Sequence, residues 1–214
     1  QAAGGYADHL IVPHPKYLVD ASGIDPAVAP ILACSGLTTY AATRKLLPCA
    51  PDERLLVIGA GGLGLMAIAM LKAQGHRNIA VAEIDPGKWE AARELGAVDI
   101  FDPSAASTRD RLLATPGGLS GAVDFVGATE TARLAFDTLR KGGRFVAVGR
   151  YGGEMTLSIV PLIQRAITIQ GSYVGTLQEL KEVVALAREG KLAPIPTATC
   201  RLDEVSSVLD RLKA

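Results

Sequence analysis

The sequence is poor in the residues that build disulfide frameworks and metal clusters: it has three cysteines and three histidines among 214 residues. Cys34, Cys49 and Cys200 are too few for a disulfide framework, and they lack the paired C-x-x-C spacing of a structural zinc lobe. Net charge is absent as well, because 22 basic residues balance 22 acidic ones. This balance gives no reason to expect nucleic acid or a membrane surface as a partner. No secretory signal is recognisable, so the expected location is cytoplasmic.

A membrane-length apolar run is also missing, although residues 55–71 come close. The run carries no charge but ends at Lys72, short of the roughly 20 residues that a membrane span needs. It also contains four glycines, which are costly inside a helix: Gly59, Gly61, Gly62 and Gly64. A buried strand followed by a buried helix explains this composition better than a membrane span.

Strand-like and helical segments alternate through the middle of the chain. Strands are predicted at residues 54–58, 78–84, 98–101, 122–126, 144–148 and 166–170, with helices between them at residues 63–75, 86–95, 108–114 and 129–139. A short extended patch at residues 9–12 precedes this unit, and helices at residues 178–188 and 202–212 follow it. The alternation predicts an α/β fold with a doubly wound parallel sheet of the Rossmann type, and partial flanking segments of a second domain.

A glycine-rich turn lies between the first strand and the first helix of this unit. Gly59-Ala60-Gly61-Gly62-Leu63-Gly64 matches the pattern G-x-G-x-x-G, and its strand–turn–helix context is the one that phosphate binding requires. Gly59 can make the tight turn, Gly61 lets the backbone approach a pyrophosphate, and Gly64 lets the helix lie close to the strand. The N–H groups and the positive dipole end of the helix then face the phosphates. The alternative is a glycine-rich turn that serves packing alone.

An acidic residue follows the second predicted strand, as a dinucleotide site requires. Glu83 lies 19 residues after Gly64 (83 minus 64), against an expected spacing of about 20. Its carboxylate can accept hydrogen bonds from both ribose hydroxyls of adenosine and would repel a 2′-phosphate. The sequence therefore favours NAD over NADP. Ile84 and Lys88 are assigned to the same coenzyme site, Lys88 beside the adenosine. The alternative is an ordinary surface glutamate.

Four motifs, in their order and spacing, resemble the zinc-dependent alcohol dehydrogenases of the medium-chain type: residues 58–64 (IGAGGLG), 83–97 (EIDPGKWEAARELGA), 124–127 (DFVG) and 171–176 (GSYVGT). The likeness runs from residue 4 to the end of the chain and is nearest to bacterial secondary- and aryl-alcohol dehydrogenases. It implies that residues 1–35 end the N-terminal catalytic domain, residues 36–175 form the NAD-binding Rossmann domain, and residues 176–214 return to the catalytic domain.

The resemblance also implies roles for individual residues. Residues 31–40 (ILACSGLTTY) are similar to the family segment whose cysteine is a ligand of the catalytic zinc, which gives that role to Cys34. Thr38 and Leu63 are then expected at the nicotinamide, and Tyr173 near the substrate. The residues expected to line the nicotinamide slot are Val126, Val148 and Val174. Each is equally at home in ordinary packing, and a lone cysteine is usually a small buried hydrophobe.

The resulting expectation is the NAD(H)-binding portion of a zinc-dependent alcohol dehydrogenase. The enzyme would reversibly oxidise a primary or secondary alcohol to an aldehyde or ketone, with hydride transfer to NAD. The remaining zinc ligands and the proton relay are not recognisable, so the chain is expected to be a catalytically incomplete fragment. The predicted strand at residues 166–170 is expected to pair two copies, with Ile167 or Ile169 at the seam of a homodimer or homotetramer. The alternatives are a zinc-free quinone or enoyl reductase and a non-catalytic NAD-binding module.

Overall fold

The computed structural model describes residues 5–212, so the ends of the two predicted flanking segments, residues 1–4 and 213–214, lie outside the described residues. Its centre is a six-stranded sheet with the spatial order β3-β2-β1-β4-β5-β6, in which every neighbouring pair is parallel. The strands are β1 (Arg54–Ile58), β2 (Ile79–Ala82), β3 (Asp99–Phe101), β4 (Leu119–Asp124), β5 (Leu139–Ala147) and β6 (Thr168–Gly171). This order is that of the doubly wound dinucleotide-binding folds, which confirms the predicted fold class.

Helices cover both faces of the sheet and extend beyond it. They are α1 (Ala29–Ile31), α2 (Leu37–Arg44), α3 (Gly62–Ala73), α4 (Trp89–Glu94), α5 (Thr108–Leu113), α6 (Thr129–Thr138), α7 (Ile159–Gln164), α8 (Leu177–Arg188) and α9 (Val205–Arg211). A π-helical turn, Leu32–Gly36, joins α1 to α2. Single 3₁₀ turns lie at Pro15–Tyr17, Pro86–Lys88 and Leu202–Glu204. No helix among the described residues is long and apolar enough to cross a membrane.

The strands carry apolar side chains on both faces because each face has its own core. Leu55 and Val57 of β1 point into a core with α3 and α4, whereas Leu56 and Ile58 point into a core with α5 and α6. Strands buried on both faces appear in a sequence as continuous apolar runs, which is why residues 55–58 of β1 belong to the uncharged stretch. A third, smaller cluster around Leu32, Met70, Val183 and Val184 attaches α8 to this unit.

The boundaries of β4 and β5 differ from the predicted ones. β4 begins at Leu119 and β5 at Leu139, before the apolar runs that predicted them. Gly121 lies inside β4, where glycine is otherwise unfavourable. A Cβ at this position would lie 2.9 Å from Leu46 Cδ2, so the glycine allows close packing. The glycine-rich start of β5 joins the sheet across a register shift between Leu119 and Gly121.

One flanking prediction is wrong, and one helix of the central unit was missed. Residues 9–12 form no strand: they have no sheet partner, and Ile11 is 91% exposed. Conversely, α7 (Ile159–Gln164) was not predicted from the sequence. Pro161 is the third residue of α7, within the first turn, where a missing N–H breaks no intrahelical hydrogen bond.

Candidate functional site

The glycine-rich turn has the geometry that its pattern predicted. Gly59 follows β1 with a φ of +87°, a conformation that favours glycine. A Cβ on Gly64 would lie 1.8 Å from the carbonyl oxygen of Gly59, so only glycine allows α3 to start this close to β1. In contrast, Cβ atoms on Gly61 and Gly62 would meet nothing within 4 Å. The turn therefore combines a closed inner side with open space beside the first N–H groups of α3, which have no partner within the helix.

Glu83 holds this turn from the neighbouring strand end. Its side chain is only 6% exposed, and its carboxylate accepts hydrogen bonds from Ala60 N (2.6 Å) and Asp85 N (2.8 Å). Trp89 Nε1 donates to the carbonyl oxygen of Glu83 at 3.0 Å, and Lys88 Nζ lies 4.0 Å from the carboxylate. A carboxylate has about four acceptor positions, so Glu83 keeps capacity for further donors.

Two adjoining cavities meet at Glu83. Both are lined by Gly59, Glu83, Ile84 and Val126. The first, about 430 Å³, continues along the glycine turn and is completed by Gly61, Gly62, Leu63, Gly64, Lys88 and Phe125. The second, about 330 Å³, continues the other way and is completed by Ile58, Ala82, Pro103, Ser104, Ala128, Glu130 and Thr131.

The two cavities together form a groove that runs over the carboxyl ends of β1, β2 and β4. The strand order reverses beside β1, because the chain leads from β1 outward to β3 and then returns to β4 on the other side. Ligands of open parallel sheets bind at such a reversal.

Asp124 organises the next strand end, although from the sequence it was expected only as part of the motif at residues 124–127 and had no individual role. Its side chain is 1% exposed and accepts hydrogen bonds from Val126 N (2.8 Å), Gly127 N (3.0 Å) and Thr131 Oγ1 (2.8 Å). Burial raises the pKa of this carboxyl above its usual value, although the hydrogen bonds act in the opposite direction. Asp124 therefore joins the end of β4 to the start of α6 and fixes the wall that Val126 contributes to both cavities.

The residues expected at the nicotinamide lie in four places. Leu63 lines the first cavity, and Val126 lies with Glu83 in both cavities, whereas Thr38 is buried on α2. Val148 is half-buried just after β5, and Val174 is 38% exposed just after β6.

The loop after β6 has an unusual backbone. Val174 has a φ of +49°, which is rare for a β-branched residue and stores strain. A Cβ on the following Gly175 would lie 2.6 Å from Leu37 Cδ1. The loop thus packs directly against the start of α2, next to Thr38, while Tyr173 is 79% exposed beside it.

A family model described as "Zinc-binding dehydrogenase" matches residues 62–189, more than half of the chain. The chain belongs to the zinc-binding dehydrogenase family. The matched region starts at α3 and runs to the end of α8, so it contains most of the groove as well as the fold. The resemblance inferred from four short motifs is confirmed at the level of the family.

The curated relatives of the chain are longer than the chain itself. An NAD-dependent alcohol dehydrogenase of Sulfurisphaera tokodaii is 32% identical over 213 residues, which is 98% of this chain and 61% of the relative. An alcohol dehydrogenase of Geobacillus stearothermophilus is 30% identical over 211 residues, with the same two coverages. The chain therefore spans about three fifths of the length of these relatives.

Solved structures of dehydrogenases share the fold of the chain and are likewise longer than it. The alcohol dehydrogenase of Aeropyrum pernix superposes with a TM-score of 0.78 at 32% identity, over 87% of this chain and 54% of that one. The D-arabinose dehydrogenase of Sulfolobus solfataricus superposes with a TM-score of 0.79 at 29% identity, over 90% of this chain and 60% of that one.

Cys34 is exposed on the π-helical turn Leu32–Gly36. Such insertions into helices are frequent at functional sites, and the sequence pattern did not reveal this one. A catalytic zinc needs three protein ligands. Residues 5–212 contain no group of three or more histidine, cysteine, aspartate or glutamate side chains able to hold a metal ion. The described residues therefore do not fit a zinc ion by themselves, and the role of Cys34 as a ligand stays a prediction.

Proposed function

We propose that the chain binds NAD(H) and supplies the coenzyme-binding part of an alcohol dehydrogenase. The observation that carries this proposal is the buried Glu83 carboxylate beside a glycine turn whose outer side is open. The enzyme would transfer hydride between a small-molecule alcohol, or its aldehyde or ketone, and NAD. The names of the curated relatives support both the coenzyme and the reaction class.

The first cavity suits the pyrophosphate of the coenzyme. The open space beside Gly61 and Gly62 lets phosphate oxygens approach the first N–H groups of α3, where the helix dipole also favours negative charge. The adenosine ribose then lies at Glu83, whose remaining acceptor positions can take its two hydroxyl groups.

The other end of the coenzyme is expected near Thr38, Val148 and Val174. Bound NAD supplies the hydride acceptor, and these residues would orient its ring. The strained backbone at Val174 supports this assignment, because strain of this kind clusters at ligand-binding positions. Tyr173, exposed beside it, is proposed to lie near the substrate.

Coenzyme choice follows from the charge and burial of Glu83. A 2′-phosphate on the ribose would face this carboxylate, so we expect NAD to bind more tightly than NADP. Glu83→Ser should weaken NADH binding roughly ten- to a hundredfold, because a hydrogen bond to a charged group contributes about 1.5–3 kcal/mol. NADPH binding should fall less or improve.

The test is a titration of NADH and NADPH into the wild-type and Glu83→Ser proteins. Glu83 also holds Ala60 N and Asp85 N, so the variant is expected to unfold at lower denaturant concentration. The ratio of the two coenzyme affinities is therefore the deciding quantity, since loss of stability alone lowers both. An unchanged ratio would remove Glu83 from the ribose site.

We also propose that two copies pair through β6, which lies at one edge of the sheet. Ile169 is 38% exposed on this strand, and α7 adds exposed apolar side chains: Ile159, Val160 and Ile163. Ile167 is only 8% exposed and packs in the core with Phe145, so Ile169 is the better candidate for the seam. An open edge strand with apolar neighbours favours a two-fold pairing.

A further inference from the structure

The second cavity is the place for the base of the coenzyme, given the proposed function above. The ribose at Glu83 separates the pyrophosphate in the first cavity from whatever fills the second. The walls of the second cavity are largely apolar, with Ile58, Ile84, Val126 and Pro103 among them. These side chains can hold a flat ring but do not distinguish one purine from another.

The polar side chains of the second cavity are Glu83, Ser104, Glu130 and Thr131. The hydroxyl of Ser104 donates to Asp102 Oδ1 at 2.6 Å, so its hydrogen is already used. The hydroxyl of Thr131 donates to Asp124 Oδ2 at 2.8 Å or to the carbonyl oxygen of Ala128 at 3.0 Å. Both hydroxyls therefore offer only acceptor positions to a ligand, as the carboxylate of Glu83 does.

Glu130 differs from the other three because nothing in the described part of the chain binds it. It lies in the first turn of α6, is exposed, and has no hydrogen bond or ion pair with residues 5–212. Its carboxylate is a free acceptor at the rim of a cavity whose polar side chains have no spare donor.

We propose that the carboxylate of Glu130 accepts a hydrogen bond from the C6 amino group of adenine and so selects the base of the coenzyme. Adenine has a donor at C6, whereas hypoxanthine has a carbonyl oxygen there. With the carbonyl, two acceptors face each other and no side chain of the cavity can donate to it. Glu130 is thus a specificity-determining residue, separate from the ribose contact of Glu83.

The experiment compares NADH with its hypoxanthine analogue, deamino-NADH, by titration into the wild-type protein and Glu130→Gln. The wild type should bind NADH roughly five- to tenfold more tightly, the value of one exposed hydrogen bond. In Glu130→Gln the ratio should approach one, mainly because deamino-NADH binds more tightly: the glutamine amide can donate to the carbonyl oxygen at C6. Glu130→Ala should also lower the ratio, here by weakening NADH.

A first-turn glutamate also stabilises its helix through the dipole, and this role must be separated from base selection. Glu90→Gln is the matched control, because Glu90 occupies the first turn of α4 and lines neither cavity. Loss of the dipole contribution destabilises the helix in the same way whichever coenzyme is bound. It therefore lowers both affinities equally and leaves their ratio unchanged. The control should keep the wild-type ratio.

Two results would overturn the proposal while leaving NAD binding intact. In the first, the wild type binds NADH and deamino-NADH equally well. In the second, the wild type discriminates but Glu130→Gln keeps the same ratio, which would assign selection to another group. Absence of saturable NADH binding would overturn the proposed function and this inference together.

Discussion

Alanine substitutions at two glycines of the same turn should affect different properties: Gly64→Ala should lower the stability of the fold, and Gly61→Ala should weaken coenzyme binding. A Cβ on Gly64 would lie 1.8 Å from the carbonyl oxygen of Gly59, and this atom belongs to the backbone and cannot rotate away. Overpacking of this kind costs about 1–3 kcal/mol even where side chains can adjust, so Gly64→Ala should lose at least that much stability. A Cβ on Gly61 meets nothing within 4 Å, and Gly61 has a φ of −73° that alanine adopts freely.

Gly61→Ala should therefore fold like the wild type but bind the coenzyme poorly. Its methyl group would occupy the open space through which the pyrophosphate reaches the first N–H groups of α3. Loss of one hydrogen bond to a charged phosphate, about 1.5–3 kcal/mol, corresponds to roughly a ten- to hundredfold weaker affinity for NADH.

The assay is urea unfolding of both variants together with NADH titration. The expected pattern is reduced stability for Gly64→Ala, and wild-type stability with weak binding for Gly61→Ala. If Gly61→Ala bound NADH as tightly as the wild type, the pyrophosphate would not lie against this turn. If Gly64→Ala were as stable as the wild type, the close contact of α3 with Gly59 would not be required for folding.

Two further predictions concern Asp124 and Ile169. Because burial raises the pKa of Asp124 above 3.8, protonation of this carboxyl stabilises the folded state, and this stabilisation is lost as the pH rises through the raised pKa. Asp124→Asn should thus gain stability relative to the wild type as the pH rises from about 4 to neutrality in urea unfolding series; a difference independent of pH would contradict this. Ile169→Lys should shift the protein from dimer to monomer in light scattering while Thr168→Lys, on the same strand, serves as a control for charge alone. A wild-type protein that stays monomeric at high concentration would refute pairing through β6.

The turn and its strand could be predicted because their signals are local. The strand at residues 54–58 has the predicted bounds, since residues 55–58, buried on both faces of the sheet, form an uninterrupted apolar run after Arg54. The spacing from Gly64 to Glu83 is likewise fixed by one helix and one strand of ordinary length. Patterns of this kind depend on neighbours within a few residues and on the period of the secondary structure.

The remaining features depend on contacts between distant residues, which a single sequence does not display. The hydrogen bond from Ala60 N to Glu83 joins residues 23 positions apart, and it makes Glu83 a support of the turn as well as the proposed ribose ligand. The hydrogen bonds of Asp124 follow from a turn after β4, for which the only local signal was an aspartate after an apolar run. The π-helical turn at Cys34 has no recognisable pattern at all.

Binding of NADH in the groove beside Glu83 can be measured directly through the only tryptophan of the chain. Trp89 Nε1 donates to the carbonyl oxygen of Glu83 at 3.0 Å, so a nicotinamide coenzyme in the groove lies close enough to accept its excitation energy. Titration with NADH should quench Trp89 fluorescence to saturation at one coenzyme per chain, and NADPH should need a much higher concentration. Quenching that never saturates would contradict coenzyme binding in this groove, and equal titration curves for NADH and NADPH would contradict a ribose site at Glu83.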